Sequence, residues 1–386
     1  MRDVFITGIG QVPVGEHWEV SLRSLAARAM LAALHQAEGL RPQALFVGNL
    51  LAPVLSHQAN LAALLIDNAG LDGIEGHLVE AGEASGAAAL HSAFLAIASG
   101  WVESALVVGV EKVTDYIGSG VELALAETED ADYETAQGLT LSGLAGLVMQ
   151  RYLHEYGVER QALGVFPTLM HANAVHNPNA MFRKAIRREA YAKAEMISDP
   201  VNLFDMAPYA DGAAAVLLSS RAAIPAGFAQ PLVRISGSAL VTDRLALHDR
   251  ADPLAFDAAR LSVERACRMA GILPGEVNLF ELSDTFSIYA ALSLEAAGFA
   301  PTGRAAQLAE QGEFALNGRM PINTLGGMKA RGNPIGAAGV YQVLEAVLQL
   351  RGQAGANQIA HAQRALVQML AGPASTAVTH VLERVS

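Results

Sequence analysis

The chain has 386 residues, 52% of them hydrophobic and 17% charged, and its 26 Lys and Arg against 38 Asp and Glu give a formal net charge of −12. That length exceeds one ordinary core and predicts two packed domains or one doubled domain. The acidic balance excludes a nucleic-acid binder, which needs a basic footprint for phosphates, and the single cysteine, Cys267, excludes an internal disulfide and a Cys-based zinc cluster.

The first residues enter an apolar strand pattern at Val4-Phe5-Ile6 without the charged, apolar and small-residue succession of a signal peptide, so a cytoplasmic, reducing location is expected. A helix pattern ends near Gly39 and Pro42, and a strand, Ala44 to Val47, follows. The same order of helix, glycine stop, proline turn and strand recurs at Gly271, Pro274 and Val277 to Phe280. Glu83-Ala84-Ser85-Gly86 opens a long Ala/Leu-rich helix, and Asn333-Pro334-Ile335-Gly336 opens another at a constant offset of 250 (333 − 83 and 336 − 86). Each is followed by a nearly continuous apolar strand, Ala105 to Val108 and Ala365 to Val367, of the kind buried on both faces. The apolar tract from Ala84 to Val110 is broken by Ser85, His91, Ser99, Gly100 and Glu103, so no membrane insertion is expected.

These elements predict a duplicated α/β layer structure, with an N-terminal half over residues 1–228 and a C-terminal half over 229–386. Within the N-terminal half the pattern changes over about 112–205 to a polar and aromatic mixture. It contains an acidic run, Glu127 to Asp132, and a basic run, Phe182 to Arg188, and reads as an inserted, partly helical loop domain. The strand Ala213 to Leu218 resumes the first sheet, and Pro231 to Ile235 begins the second half.

Two helices starting at equivalent points would turn free N–H groups and positive dipole ends toward one cleft, where a thioester oxyanion is stabilised. Small residues there, Ala84, Ser85 and Gly86 with Gly332, Gly336 and Gly339, fit either close ligand approach or a close-packed helix junction.

The run Asn323-Thr324-Leu325-Gly326-Gly327, then Gly332-Asn333-Pro334-Ile335-Gly336-Ala337, resembles the thiolase-family glycine pair followed by Gly-His-Pro-x-Gly-Ala. Val79 to Gly86 is similar to the nucleophile segment, in which the family has Cys-Ala-Ser-Gly. Glu281 to Phe286 is similar to the His-Asp-Ala-Phe segment of the sterol-carrier-protein-x branch. Asp199-Pro200, Asp211 to Ala214, His171 to Ala174 and Asn177-Pro178 match in family order as well. On these segments the chain is identified as a member of the thiolase superfamily. The resemblance implies a five-layer αβαβα duplicated fold, coenzyme A or an acyl-CoA as ligand with no permanently bound cofactor, and a homodimer. It implies a small OB-fold partner in part of that branch. It also places the strand after the nucleophile helix near the subunit interface, so Ala105 to Val110 is expected to be paired or covered there.

At the matched positions the nucleophilic cysteine is Glu83, and the two histidines are Ser283 and Asn333. No second cysteine stands near Met369 to Gly372. Thiolase chemistry needs a thiolate to hold the acyl group and imidazoles to move protons, so these exchanges argue against Cys-dependent acyl transfer. Glu83 is either a base or acyl-site mimic, or a plug that fills the anion site. A helix start is expected to lower its pKa. Asn333 and Ser283 keep donors that can polarise a carbonyl. Asp284 survives from the motif in a catalytic or loop-supporting role. Gly326, Gly327, Gly332 and Gly336 are expected to shape the coenzyme A site. Arg183, Arg187 and Arg188, with Lys184 and Lys193, would either meet its phosphates or form a solvated helix face. Tyr289 and Tyr341 are core aromatics or acids, Cys267 is a packed thiol, and His171 and His176 have no metal-ligand spacing, so no metal is assigned.

Two functions follow. One is an acyl-CoA-binding protein without covalent acyl-enzyme chemistry, acting in aldol or retro-aldol carbon–carbon chemistry. The other is a non-catalytic subunit or acyl-CoA carrier that stabilises a catalytic partner.

Overall fold

The computed structural model describes residues 1–385. Strand β1 (Val4–Gln11) leads to helix α1 (Leu22–Gln36), which starts where the Ser21 hydroxyl accepts the Ser24 N–H. Then come β2 (Ala44–Gly48), α2 (Ala52–Leu55), α3 (Leu61–Asn68), β3 (Glu75–Val79), α4 (Ser85–Ser99) and β4 (Ser104–Glu111). The excursion holds α5 (Gly120–Leu125), α6 (Leu141–Tyr156), α7 (Val165–Ala174), α8 (Arg188–Ala192) and a small hairpin, β5 (Met196–Ser198) with β6 (Val201–Asn202). It returns to the sheet as β7 (Gly212–Ser220). The second half runs β8 (Leu232–Thr242), α9 (Asp257–Ala270), β9 (Leu279–Glu281), α10 (Ser287–Ala296), α11 (Ala305–Glu310), α12 (Ala338–Arg351), β10 (Arg364–Ala371) and β11 (Thr376–Val385).

The duplication is explicit in the strand order. The first half pairs as β3-β2-β4-β7-β1 and the second as β8-β11-β10-β9, and a short antiparallel contact, Val4 to Ile6 against Ile235 to Val233, joins the two. In each half one parallel pair (β2 with β4, β9 with β10) is followed by two antiparallel pairs. The counterpart of β3 in the second half shrinks to one parallel bridge, Phe280 to Ile322. Helix α1 covers the outer face of the first half and α9 that of the second, while α4 and α12 pack on each other between the halves. This is the thiolase-type layering, helix, sheet, helix, sheet, helix.

The outer layers use the same device twice. A Cβ on Gly8 of β1 would stand 2.1 Å from the Ala33 carbonyl oxygen of α1, and one on Gly237 of β8 would stand 2.0 Å from that of Ala266 of α9. Only glycine permits helix and strand to approach so closely.

The strand Ala105 to Val110 corrects the expectation for the interface. It lies in β4, between β2 and β7 and buried at every position, so it has no free edge. The continuous apolar run reflects covering on both faces. The free edge of the first half is β3, which carries Leu78 at 42% exposure.

Candidate active site

Glu83 lies in the tight turn before α4, after Gly82 at φ +58°. Its side chain is 2% exposed, and its Oε2 accepts the backbone N–H of Gly372 at 2.8 Å, in the turn between β10 and β11. Burial raises its pKa, against hydrogen bonds from Gly372 and its own amide, and the charge of Glu122 adds to the rise. The lowering expected from the helix start is therefore overturned, because desolvation of the carboxylate outweighs the amides.

Further groups converge on it from distant segments. Glu129, 5% exposed in the excursion, has its pKa pushed up to about 8 by burial and by the charges of Glu83 and Glu134, against the Arg250 guanidinium. A Cβ on Gly372 would lie 3.0 Å from Glu129 Oε1, so Glu83 and Glu129 flank the same glycine. Glu122 of α5, its pKa also raised by burial, accepts the Tyr209 hydroxyl at 2.8 Å. Tyr209 is held by a strap that bonds both second-half loops: Ala207 N–H to the Thr285 carbonyl, Asn333 N–H to that of Pro208, and Ala210 N–H to that of Asn333. Glu134 accepts the Leu247 N–H, and Arg250 donates to the Pro373 carbonyl. Tyr289 of α10 is 1% exposed, and its hydroxyl has no partner among the described residues.

A cavity of about 400 Å³ opens on Glu83, with Leu50, Leu51, Thr128, Gly372 and Ser375 also in its wall. A second cavity of about 360 Å³ is apolar. His171, Phe182, Phe204, Met206 and Ala207 line it, with Lys184 and Lys329. The Lys329 ammonium, its pKa lowered by burial to about 8, donates to the Asp205 carbonyl at 2.6 Å. Between the cavities Ala84, Ala207, Met328 and Ala371 pack into one small cluster.

The other expected residues divide. Ser283 is fully buried, and its hydroxyl has no partner among the described residues. Asn333 Oδ1 accepts the Ile335 N–H and fixes the turn. Asp284 accepts the N–H groups of Met328 at 2.8 Å and Lys329 at 3.3 Å, which is loop support. The small residues prove to be a helix junction: a Cβ on Gly86 would meet the Gly336 oxygen at 2.6 Å, and one on Gly339 would meet Ala87 at 2.8 Å. The Gly336 N–H donates to Glu111 at 3.2 Å. Glu111 also accepts from Leu50, Leu51 and Asn49, so a protein carboxyl fills the anion position at the start of α12. Gly326, Gly327 and Gly332 turn toward Ala174, Asp284 and Val14 respectively, and shape the loop from inside.

In the basic run, Lys184 borders the apolar cavity and Arg183 a shallow neighbour, whereas Arg188 is paired with Glu310 at 2.7 Å. Arg187 is exposed at the start of α8. Tyr341 donates to the carbonyls of Val12 and Ala213 and is a core anchor. Cys267 is buried on α9, and burial pushes its thiol up to about 11. Among the described residues no group of three His, Cys, Asp or Glu is placed to hold a metal ion, and no helix is long and apolar enough to cross a membrane. Glu129, Glu134, Arg250 and Tyr209 escaped the sequence reading, and only a structure brings them to Glu83.

Fold and site together define a duplicated thiolase-type protein with a buried carboxyl, Glu83, in the turn before α4. The chain belongs to the thiolase family: the thiolase N-terminal domain matches residues 4–222 and the thiolase C-terminal domain-like family matches 239–384. An acetyl-CoA acetyltransferase of Methanothermobacter thermautotrophicus is 37% identical over 386 residues, covering 100% of both chains. Sterol carrier protein 2 of Homo sapiens is 27% identical, over 77% of this chain and 56% of that one. The solved Ltp2-ChsH2(DUF35) aldolase shares the fold, with a TM-score of 0.85 at 22% identity over 99% of this chain and 98% of that one.

Proposed function

We propose that the protein binds a coenzyme A thioester and carries out acid/base carbon–carbon chemistry of the aldol or retro-aldol type, without a covalent acyl-enzyme. The observation that carries this reading is the pair Glu83 and Glu129 at the nucleophile position. Both are buried and burial raises both pKa values, so that a carboxyl can give as well as take a proton. In this reading the apolar cavity takes the pantetheine arm, Lys184 and Arg183 stand near the phosphates, and the acyl group reaches the acidic cavity past Met328 and the alanines beside it. A homodimer joined along β3, a small OB-fold partner and a cytoplasmic location belong to the same reading.

One observation favours the second reading, a non-catalytic subunit or carrier. The Glu83 carboxyl occupies the Gly372 N–H, a donor otherwise available to a thioester oxygen. Incubation with 3-hydroxyacyl-CoA thioesters in the absence of free coenzyme A separates the two. Retro-aldol cleavage releases a shorter acyl-CoA and a carbonyl compound with no coenzyme A consumed, whereas thiolysis requires it. Calorimetric binding without turnover supports the carrier.

A further inference from the structure

Lys329 is a buried amine for which the carbon–carbon reading has no use. The chain has four lysines, and the other three have ordinary settings: Lys112 is paired with Asp115 and Asp211, and Lys184 and Lys193 are exposed. Lys329 is 2% exposed and lines the apolar cavity of about 360 Å³. Its ammonium donates to two backbone carbonyls, that of Asp205 at 2.6 Å and that of Phe204 at 3.4 Å. The two carboxylates whose charges reach it are engaged elsewhere. Asp205 accepts the Tyr191 hydroxyl and the Asn202 N–H, and Asp284 accepts the N–H groups of Met328 and Lys329. Burial without an ion pair favours the neutral amine, whose lone pair is nucleophilic.

The cavity holds a proton carrier beside that amine. His171 lines it, packed against Phe182 with ring centres 6.1 Å apart and against the edge of Phe204 at 6.0 Å. Its Nδ1 lies 3.2 Å from the Lys184 carbonyl oxygen, so Nδ1 carries the proton and Nε2 keeps a lone pair. Burial lowers the His171 pKa, and the Lys329 charge acts on it in the same sense. Apart from Lys184, the rest of the wall is apolar, with Ile186, Leu203, Met206 and Pro208 in it. Leu203 is 56% exposed and Phe182 41%, so the cavity is open to solvent on their side.

We propose that this cavity is a covalent site for an apolar aldehyde, which Lys329 holds as an imine while His171 moves the protons. The carbon–carbon reading neither requires this site nor supports it, and an aldehyde and a pantetheine arm take the cavity in turn. The Lys329 ammonium gives a proton to His171 Nε2, and the freed Nζ pair attacks the carbonyl carbon while the π pair of the C=O bond moves to oxygen. A proton passes from nitrogen to that oxygen and gives a carbinolamine. The protonated His171 returns its proton to the hydroxyl, which leaves as water while the nitrogen pair closes the C=N bond. One aldehyde and one lysine ammonium become one protonated imine and one water, and no oxidant or reductant is consumed.

The test is reductive trapping of the wild-type protein with hexanal and sodium cyanoborohydride, followed by peptide mass spectrometry that separates Lys329 from Lys184, Lys193 and the Met1 amine. Lys329 should be labelled at least about tenfold faster than the two exposed lysines at neutral pH. Its rate should rise with pH through about 8 and saturate with hexanal. Acetaldehyde should need at least about a tenfold higher concentration for half-saturation, because its short tail buries less apolar surface. His171→Phe keeps an aromatic ring against Phe182 and Phe204 and should slow labelling of Lys329 about a hundredfold. Labelling of Lys329 no faster than that of the exposed lysines, or without saturation, overturns the site. Equal half-saturation by the two aldehydes overturns the apolar class, and a wild-type rate in His171→Phe overturns the role of the imidazole. The site and the class are both read on the wild-type chain, so they stand or fall whatever the folding of the variant.

Discussion

Glu83 and Gly372 lie 289 residues apart in the chain, yet the backbone N–H of one meets the carboxyl of the other at 2.8 Å. The contact ties the turn before α4 to the turn after β10, which come from different halves of the duplication. It holds the Glu83 carboxyl in place in the turn before α4, and a carboxyl cannot act as a thiolate.

Purified protein incubated with acetyl-CoA is therefore expected to show no acyl adduct on the segment Ala81 to Ser85 by intact-mass and peptide mass spectrometry. Glu83→Cys alone should not restore thiolysis, because Ser283 has no ring nitrogen and Asn333 spends its side-chain oxygen on the Ile335 N–H. A stoichiometric adduct on the wild type, or rapid thiolysis by the variant, contradicts this account.

Glu111 and Glu129 hold their protons to about pH 7 and about pH 8 in the fold, while an unfolded glutamate releases its proton near 4.5. Between about pH 4.5 and 8 the folded state binds the extra protons, so their contribution to stability is complete below that window and is lost as pH rises through it. The melting temperature should fall from pH 5 to pH 8. Glu129→Gln, which cannot ionise, should flatten part of that slope and gain ~1–3 kcal/mol relative to wild type at pH 8, with little difference at pH 5. Thermal melts at a series of pH values read this directly, and parallel curves for the two proteins would refute it.

The duplication, the two long inner helices and the buried strands were legible because they rest on local pattern: apolar runs, glycine stops and a constant offset. Positions 83, 283 and 333 stood out because each sits in a short motif, and of the three Glu83 lines the acidic cavity. Glu129 and Glu134 did not. They fall in or beside an acidic run, Glu127 to Asp132, that reads as part of an inserted loop domain, and what buries them is contact with the segment around Leu247 and Arg250, more than a hundred positions away. The free edge escaped the sequence reading for a related reason. An apolar run tells that both faces of a strand are covered, but which strand ends the sheet follows from topology, and that strand is the mostly polar β3.

That free edge yields the next expectation. β3 offers unpaired backbone groups beside the exposed Leu78, a surface suited to antiparallel pairing with a second copy across a two-fold axis. Light scattering at micromolar concentration should report a dimer. Leu78→Asp places like charges close together across that axis and should shift the population toward monomer with the far-ultraviolet circular dichroism unchanged. A wild-type monomer, or a variant dimer of unchanged strength, places any contact elsewhere.

Coenzyme A binding should separate the basic residues that the sequence grouped together. Lys184 borders the apolar cavity, whereas Arg188 is already engaged by Glu310 at 2.7 Å and stays with that partner. A phosphate near the cavity mouth gains from a free ammonium, and at this exposed site the gain is modest and screened by salt. Lys184→Ala should weaken coenzyme A binding about three- to tenfold at low ionic strength and less at 0.5 M salt. Arg188→Ala should change it by less than about twofold, since an exposed pair contributes little and its loss leaves the cavity intact. Calorimetric titrations at two salt concentrations decide the matter. If Arg188→Ala weakens binding and Lys184→Ala does not, the phosphates lie over α8 and the apolar cavity is not the entrance for coenzyme A.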